Sequence, residues 1–246
     1  MKLFPAIDIL EGRAVRLRQG EFDKFTLYND SPLAAAAAWV EDGAEALHIV
    51  DLDGARSGAA VNFDEVRSIT AAFKLPIQLG GGLRSVDAVR LALEAGVTQV
   101  ILGTAAINDS QLLDRLLAEY PESVTVSLDG RDGVVAVEGW QRSGGVSVAE
   151  AAEELEQRGV RRFVYSDISR DGTLSGVDVE QIANFAQLVD VPFVYSGGVG
   201  RIEDLNAIGA LAPPNLEGVI VGTALYDGSF TIPEAQRALN ASAGSE

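Results

Sequence analysis

The chain of 246 residues contains no cysteine, one methionine, one histidine (His48) and lysines only at positions 2, 24 and 74. Without cysteine there is no thiolate nucleophile, iron–sulfur cluster, Cys-based zinc site or disulfide, and a reducing compartment suits such a chain. One histidine cannot build a histidine-rich metal site, and any nucleophilic triad would have to use His48. No lysine stands at the C-terminal end of an expected strand, which argues against Schiff-base catalysis by the protein. A Gly-x-Gly-x-x-Gly after the first strand and a Walker motif are both missing, so no nucleotide cofactor is suggested. Long apolar runs are missing too: the longest, residues 33–40, is far too short to span a bilayer, and Asp8 arrives too early for a signal peptide. Positive charge is scarce, with 19 basic against 36 acidic groups and a net −17. Such a surface repels nucleic acid and anionic membranes. The expectation is a cytoplasmic protein with neither of those partners and no cofactor.

What is present points to one architecture. The length is close to the roughly 250 residues of a (β/α)₈ barrel, and 47% hydrophobic with 22% charged residues is the composition of a globular chain. Short β-branched runs alternate with helical patterns, the mark of βα units feeding a parallel sheet. Strands are expected at 3–9, 46–52, 77–79, 99–102, 124–128, 162–167, 193–195 and 218–221. Helices lie between them, as at 31–42, where Ser31-Pro32 makes a capped start, and at 86–95, stopped by Gly96. The fold class is therefore α/β, a single-domain (β/α)₈ TIM barrel over residues 1–240, with a frayed tail at 241–246.

The chain also repeats itself. Residues 75–82, Leu-Pro-Ile-Gln-Leu-Gly-Gly-Gly, return 116 positions later as Val-Pro-Phe-Val-Tyr-Ser-Gly-Gly, and Val100-Ile101-Leu102-Gly103-Thr104-Ala105 returns at 219–224. Asp51 to Gly54 is echoed at Asp167 to Gly172, and Ala6-Ile7-Asp8 at Ser127-Leu128-Asp129. Unit n matches unit n+4, so the half-barrels are about 1–120 and 121–240. In an eightfold ring that offset is half a turn, and each motif faces its twin.

Each Gly-Gly pair follows a strand and precedes a helix, where bare backbone N–H groups and a helix N-terminus can hold a phosphate. Gly197, Gly198, Gly222 and Thr223 form one such cup after the seventh and eighth strands, a frequent phosphate site in barrel enzymes. Gly81, Gly82, Gly103 and Thr104 form the second, opposite the first. The plainer reading, tight turns alone, does not account for four loops repeated in register. Two cups imply a small-molecule substrate with a phosphate at each end. Asp8 and Asp129 end opposed strands between the cups and suit a general base and a general acid. Asp51 and Asp53 lack a histidine or third carboxylate at ligand spacing, so no metal is expected. These residues reach cofactor-free acid/base chemistry on a bisphosphate without saying which one.

Pro5-Ala6-Ile7-Asp8, residues 11–17 (Glu-Gly-Arg-Ala-Val-Arg-Leu), residues 48–55 (His-Ile-Val-Asp-Leu-Asp-Gly-Ala), residues 171–174 (Asp-Gly-Thr-Leu) and both Gly-Gly/Gly-Thr pairs together resemble the phosphoribosylformimino-aminoimidazole carboxamide ribotide isomerase family of histidine biosynthesis, from residue 3 to about 238. The resemblance implies an Amadori rearrangement of an aminoaldose to an aminoketose, with the substrate's own nitrogen forming the imine. It implies Asp129 as the acid that opens the sugar ring and Asp8 as the base at C2, with Thr173 beside Gly172 supporting the acid. Arg16 and Arg84 are implied substrate-binding arginines, and Trp140 a stacking partner for the imidazole ring. His48 matches a family position near the site or is a satisfied core residue. Trp39 is expected to pack in the outer layer. Two relatives differ: the cyclase subunit of imidazole glycerol phosphate synthase carries a cysteine after the proline and a lysine where Arg16 stands. The bifunctional isomerase that also serves tryptophan biosynthesis has Arg-Gly-Trp where this chain reads Glu138-Gly139-Trp140. A non-catalytic phosphoribosyl-binding barrel would need neither aspartate. No obligate protein partner is implied, and a monomer is expected. The segment 20–31, with little apparent apolar periodicity, reads as a long loop able to close over the substrate.

Overall fold

The computed structural model describes residues 1–18, 21–137 and 142–241. Among them are twelve strands: β1 (Lys2–Leu10), β2 (Arg13–Arg18), β3 (Glu21–Asn29), β4 (Leu47–Asp51), β5 (Ile77–Gly80), β6 (Gln99–Leu102), β7 (Val124–Arg131), β8 (Val134–Val137), β9 (Arg142–Ser147), β10 (Phe163–Asp167), β11 (Phe193–Ser196) and β12 (Leu216–Val221). Eight of these pair in parallel in the order β1-β4-β5-β6-β7-β10-β11-β12, and β12 returns to β1. The ring is closed, so no barrel edge is left open. All eight strands expected from sequence are present, each within a few residues of its expected bounds.

Alternation along the strands divides two cores. On β1, Leu3, Ile7 and Ile9 point outward to the helices, whereas Phe4 and Ala6 join Ala46, Ile101, Val164, Val194 and Ile220 inside the barrel. Asp8 continues the inward row at the open end, which is how a period of two delivers a carboxylate to the mouth. Gly218 is required inside, because a Cβ there would meet the Phe4 ring and the Lys2 carbonyl. The helices start on caps: Ser31 accepts from Ala34 N–H, Ser85 from Ala88 N–H, and Ser147 and Thr231 form reciprocal boxes with Glu150 and Glu234. No helix among the described residues is long and apolar enough to cross a membrane.

Two antiparallel hairpins extend the sheet beyond the barrel. β2 folds back on β1 and pairs with β3, and β8 folds back on β7 and pairs with β9. The loop expected at 20–31 is thus corrected over Glu21–Asn29, which is a strand. Its outer face carries Phe25 and Leu27, each 42% exposed, so the alternation lacks the burial that would have marked it. Tyr28 anchors this hairpin: its ring stacks on Tyr226 at 4.3 Å and its hydroxyl donates to Asp227 Oδ1 at 2.9 Å. Trp39 packs edge-on against the same Tyr226 ring at 4.9 Å, as expected of an outer-layer residue.

Candidate functional site

A cleft of about 270 Å³ opens at the C-terminal ends of the barrel strands and runs down to the Ala6, Ile101 and Val164 layer. Asp8 enters it from β1. Arg16 enters from β2, one position beyond the residue paired with Asp8, and donates from Nη1 to Asp8 Oδ2 at 2.9 Å. Both side chains are about nine-tenths buried, 10% and 11% exposed. Burial raises the Asp8 carboxyl, Arg16 opposes it and the nearby Asp171 adds to the rise, which leaves it at about 6. The result is a carboxylate whose proton affinity lies near neutral pH, as a general base requires.

Asp129 reaches the same cleft from β7, where Ser127 Oγ–H donates to its Oδ1 at 2.7 Å. A third carboxylate, Asp171, follows β10 on this wall, and sequence reasoning assigned it no role. Burial raises its proton affinity, Arg16 opposes that, and Asp129 and Asp167 reinforce it. The available signal was the longer spacing in the second copy of the repeat, Asp167 to Gly172 against Asp51 to Gly54, which carries Asp171 to the cleft. Ser127, Ser166 and Ser196 also line it and were not singled out. Thr173 is two residues on from Asp171, but its hydroxyl donates to the Arg170 carbonyl at 2.6 Å and lies 2.7 Å from Ser175 Oγ, so it is engaged within its own turn. His48 lines the cleft, its Nδ1 3.1 Å from the Gln78 amide. Burial pushes its pKa down to about 4, so the ring is neutral.

The predicted cups are assembled. Gly81, Gly82, Arg84, Gly103 and Thr104 line one end of the cleft. Gly172, Gly197, Gly198, Gly222 and Thr223 line an adjoining recess that shares Arg16 and Asp171. Gly103 and Gly222 cap helices Thr104–Asn108 and Thr223–Tyr226 with closely similar dihedrals, φ −94° ψ −111° and φ −112° ψ −95°. The first glycine of each pair has a further reason to be there. At φ +97° and +110°, a Cβ on Gly81 or Gly197 would strike the backbone carbonyl of Asp51 or Asp167. The Arg16 guanidinium occupies the place where a Gly222 Cβ would stand, and its buried Nε, on that side, has no hydrogen-bond acceptor among the described residues. Arg84 is exposed at the rim and donates to the Ala55 carbonyl at 2.9 Å.

Asp51 and Asp53 serve the loops. Asp51 accepts from the backbone of Gly54, Val61 and Asn62 and from the Asn62 amide, and Asp53 accepts from Glu11 N–H and the same amide. Trp140, with Glu138 and Gly139, lies outside the described residues.

Comparison with known proteins agrees with this geometry. Residues 2–231 match the family described as "Histidine biosynthesis protein". A relative from Rhodospirillum rubrum is 47% identical over 235 residues, covering 96% of this chain and 98% of its own. Others from Synechococcus sp. (44% over 239 residues, 97% and 93%) and Thioalkalivibrio sulfidiphilus (44% over 238 residues, 96% and 98%) are similar. All three are named 1-(5-phosphoribosyl)-5-((5-phosphoribosylamino)methylideneamino) imidazole-4-carboxamide isomerase. With the barrel, the opposed aspartates and the paired glycine loops already in place, the chain belongs to the histidine biosynthesis protein family.

Proposed function

We propose that the protein is the aldose–ketose isomerase of histidine biosynthesis that its relatives are named for. It would turn a phosphoribosylated aminoaldose (ProFAR) into the aminoketose (PRFAR) without a cofactor. The observation that carries this is Arg16: one face of its guanidinium holds Asp8, and the other leaves a buried N–H unpaired beside the Gly222 loop. A phosphate oxygen in that recess would satisfy the orphaned donor, and the neighbouring sugar would then lie against Asp8. The second phosphate belongs at Gly81, Gly82, Gly103 and Thr104.

The chemistry follows from the carboxyl groups. Protonation of the ring oxygen by Asp129 lets the C1–O bond break, and the substrate nitrogen takes up the charge as an iminium. Asp8, about ten parts ionised to one at pH 7 for a pKa near 6, removes the C2 proton. The C–H electrons form C1=C2, and the enol relaxes to the C2 ketone as C1 is protonated. No electrons enter or leave, so no redox partner is required. Asp171 is a second candidate for the acid, because burial favours its protonated form.

The test is to supply the aminoaldose to purified protein with a chelator and no added cofactor. Ketose formation is the expected result, whereas dependence on an added metal, or no turnover, refutes it. Phosphoribosyl anthranilate and the cyclase substrate, run in parallel, separate the bifunctional and cyclase alternatives.

A further inference from the structure

Beneath the cleft, a row of polar side chains crosses the barrel floor that the acid and base chemistry does not use. His48, Gln78 and Gln99 occupy laterally paired positions on β4, β5 and β6. His48 Nδ1 lies 3.1 Å from the Gln78 amide, and the Gln78 and Gln99 amides meet at 2.9 Å. The other side of the Gln99 amide lies 2.7 Å from Arg162 Nη1 and 3.3 Å from its Nε. Glu217 anchors Arg162, accepting from Nε at 2.8 Å and Nη2 at 3.1 Å. Its His48, Gln78 and Gln99 come from the first half of the barrel, and Arg162 and Glu217 from the second. The repeat partners of His48 and Gln78, 116 positions on, are the buried Val164 and Val194. This fold can fill its floor with valine, so the first half keeps polar groups there at a desolvation cost.

The direction of every hydrogen bond in the row follows from its far end. A guanidinium donates and cannot accept. The Gln99 atom facing Arg162 is therefore its carbonyl oxygen, since the opposite orientation sets the Gln99 NH₂ against two donors. The Gln99 NH₂ then faces Gln78, which must turn its own oxygen that way and its NH₂ toward His48. His48 Nδ1 is left as the acceptor. A neutral imidazole that accepts at Nδ1 carries its proton on Nε2. We propose that Arg162, acting through Gln99 and Gln78, sets the tautomer of His48, so that the ring presents an Nε2–H donor to the cleft and not a base. The use of that donor rests on the isomerase reading: it would hold a sugar oxygen in place while Asp8 takes the C2 proton. Arg162, Gln99 and Gln78 are positioning residues, none of which needs to touch the substrate. The low pKa of His48 keeps the ring neutral throughout the working range, so the tautomer is the only variable.

His48 is the sole histidine, so a tag-free protein labelled with ¹⁵N-histidine contains one imidazole. Long-range ¹H–¹⁵N correlation then reports which nitrogen bears the proton. The wild type is expected to show a pyrrole-type Nε2 and a pyridine-type Nδ1. Gln99→Glu is nearly isosteric, keeps an ion pair with Arg162 and accepts on both sides. Gln78 must then turn its NH₂ to position 99 and its oxygen to His48, which moves the proton to Nδ1. A wild type protonated on Nδ1, or a Gln99→Glu protein still protonated on Nε2, overturns the relay. Arg162→Met is a second route: without the directing donor both tautomers should be populated, and a single unchanged Nε2–H form refutes the assignment. In the isomerase assay Gln99→Glu should lower kcat about tenfold, the worth of one uncharged hydrogen bond made in the transition state. An inverted tautomer with unchanged kcat overturns the use of the N–H by the substrate. A wild type that shows the expected tautomer yet does not isomerise the aminoaldose sinks the functional reading and leaves the relay standing.

Discussion

Removing the positive charge beside Asp8 should move the acid limb of the pH–rate profile. Arg16 Nη1 stands 2.9 Å from Asp8 Oδ2, and neither side chain is more than 11% exposed. Opposite charges about 4 Å apart at an effective dielectric of about 20 attract by about 4 kcal/mol, or about three pKa units. In Arg16→Met, water entering the vacated space should offset about half of that, which places the Asp8 pKa near ~7.5 to 8 from its starting value of about 6. The direction is the same for Asp171, which Arg16 also holds down. At pH 7 the ionised share of Asp8 would fall from about nine-tenths to between about a quarter and a tenth. The resulting loss in kcat/KM is about fourfold to tenfold at pH 7, and it should shrink above pH 9, where the base ionises again. If the recess beside Gly222 holds a phosphate as proposed, a second loss, independent of pH, is expected in KM because that recess loses its donor. The assay is kcat/KM from pH 5 to 10 for wild type, Arg16→Met and Arg16→Lys, the last retaining a charge and a limb closer to wild type. An Arg16→Met limb within half a unit of wild type would refute the reasoning, as would a deficit of equal size at every pH.

Asp8→Asn and Asp129→Asn should each cut kcat by about 10²-fold to 10⁴-fold with the circular dichroism unchanged, and either variant keeping half its activity removes that residue from the mechanism. Asp171→Asn in the same series identifies the ring-opening acid: the variant with the larger kcat loss and the lost basic limb in its pH profile marks it. Gly103→Val, where a Cβ meets nothing within 4 Å, should fold and raise KM sharply, whereas Gly81→Val should fail to fold because its Cβ meets the Asp51 carbonyl. A Gly103→Val enzyme with normal KM rules out that cup. Asp51→Ala should lower stability by about 3 kcal/mol, since it strands several buried donors at once; chemical denaturation measures it, and a loss under 1 kcal/mol contradicts the loop-holding role.

Much of this was readable in the chain because the barrel strands alternate strictly and their loops repeat. Leu3, Ile7 and Ile9 against Phe4, Ala6 and Asp8 state both faces of β1 in plain sequence. The hairpin strand β3 was misread because it lies on the rim with Phe25 and Leu27 exposed, so hydrophobicity no longer marks an inner face. Asp171 was passed over because its match in the repeat, Asp53, is a loop-holding residue, and two extra positions in the second copy carry Asp171 to the cleft instead. The glycine loops stand at the mouth where the motif placed them, and Gly81 and Gly197 are also dictated by a backbone carbonyl that only the folded chain brings near. The local bonds of the Thr173 hydroxyl, to the Arg170 carbonyl and Ser175, are likewise visible only in the folded turn.

The near-twofold arrangement of the cups raises a problem of orientation. Two matched phosphate seats would accept a two-ended ligand either way round, and the reversed pose would put the wrong carbons against Asp8. Charge on one side of the axis breaks that degeneracy. Arg16 and His48 have Val137 and Val164 as sequence counterparts, so the two ends differ: a buried guanidinium, Arg16, stands beside the Gly222 recess, while Arg84 at the other end is exposed on the rim. A barrel with a repeated half thus has a head and a tail through its unmatched side chains, and a two-ended substrate would be read in a single direction.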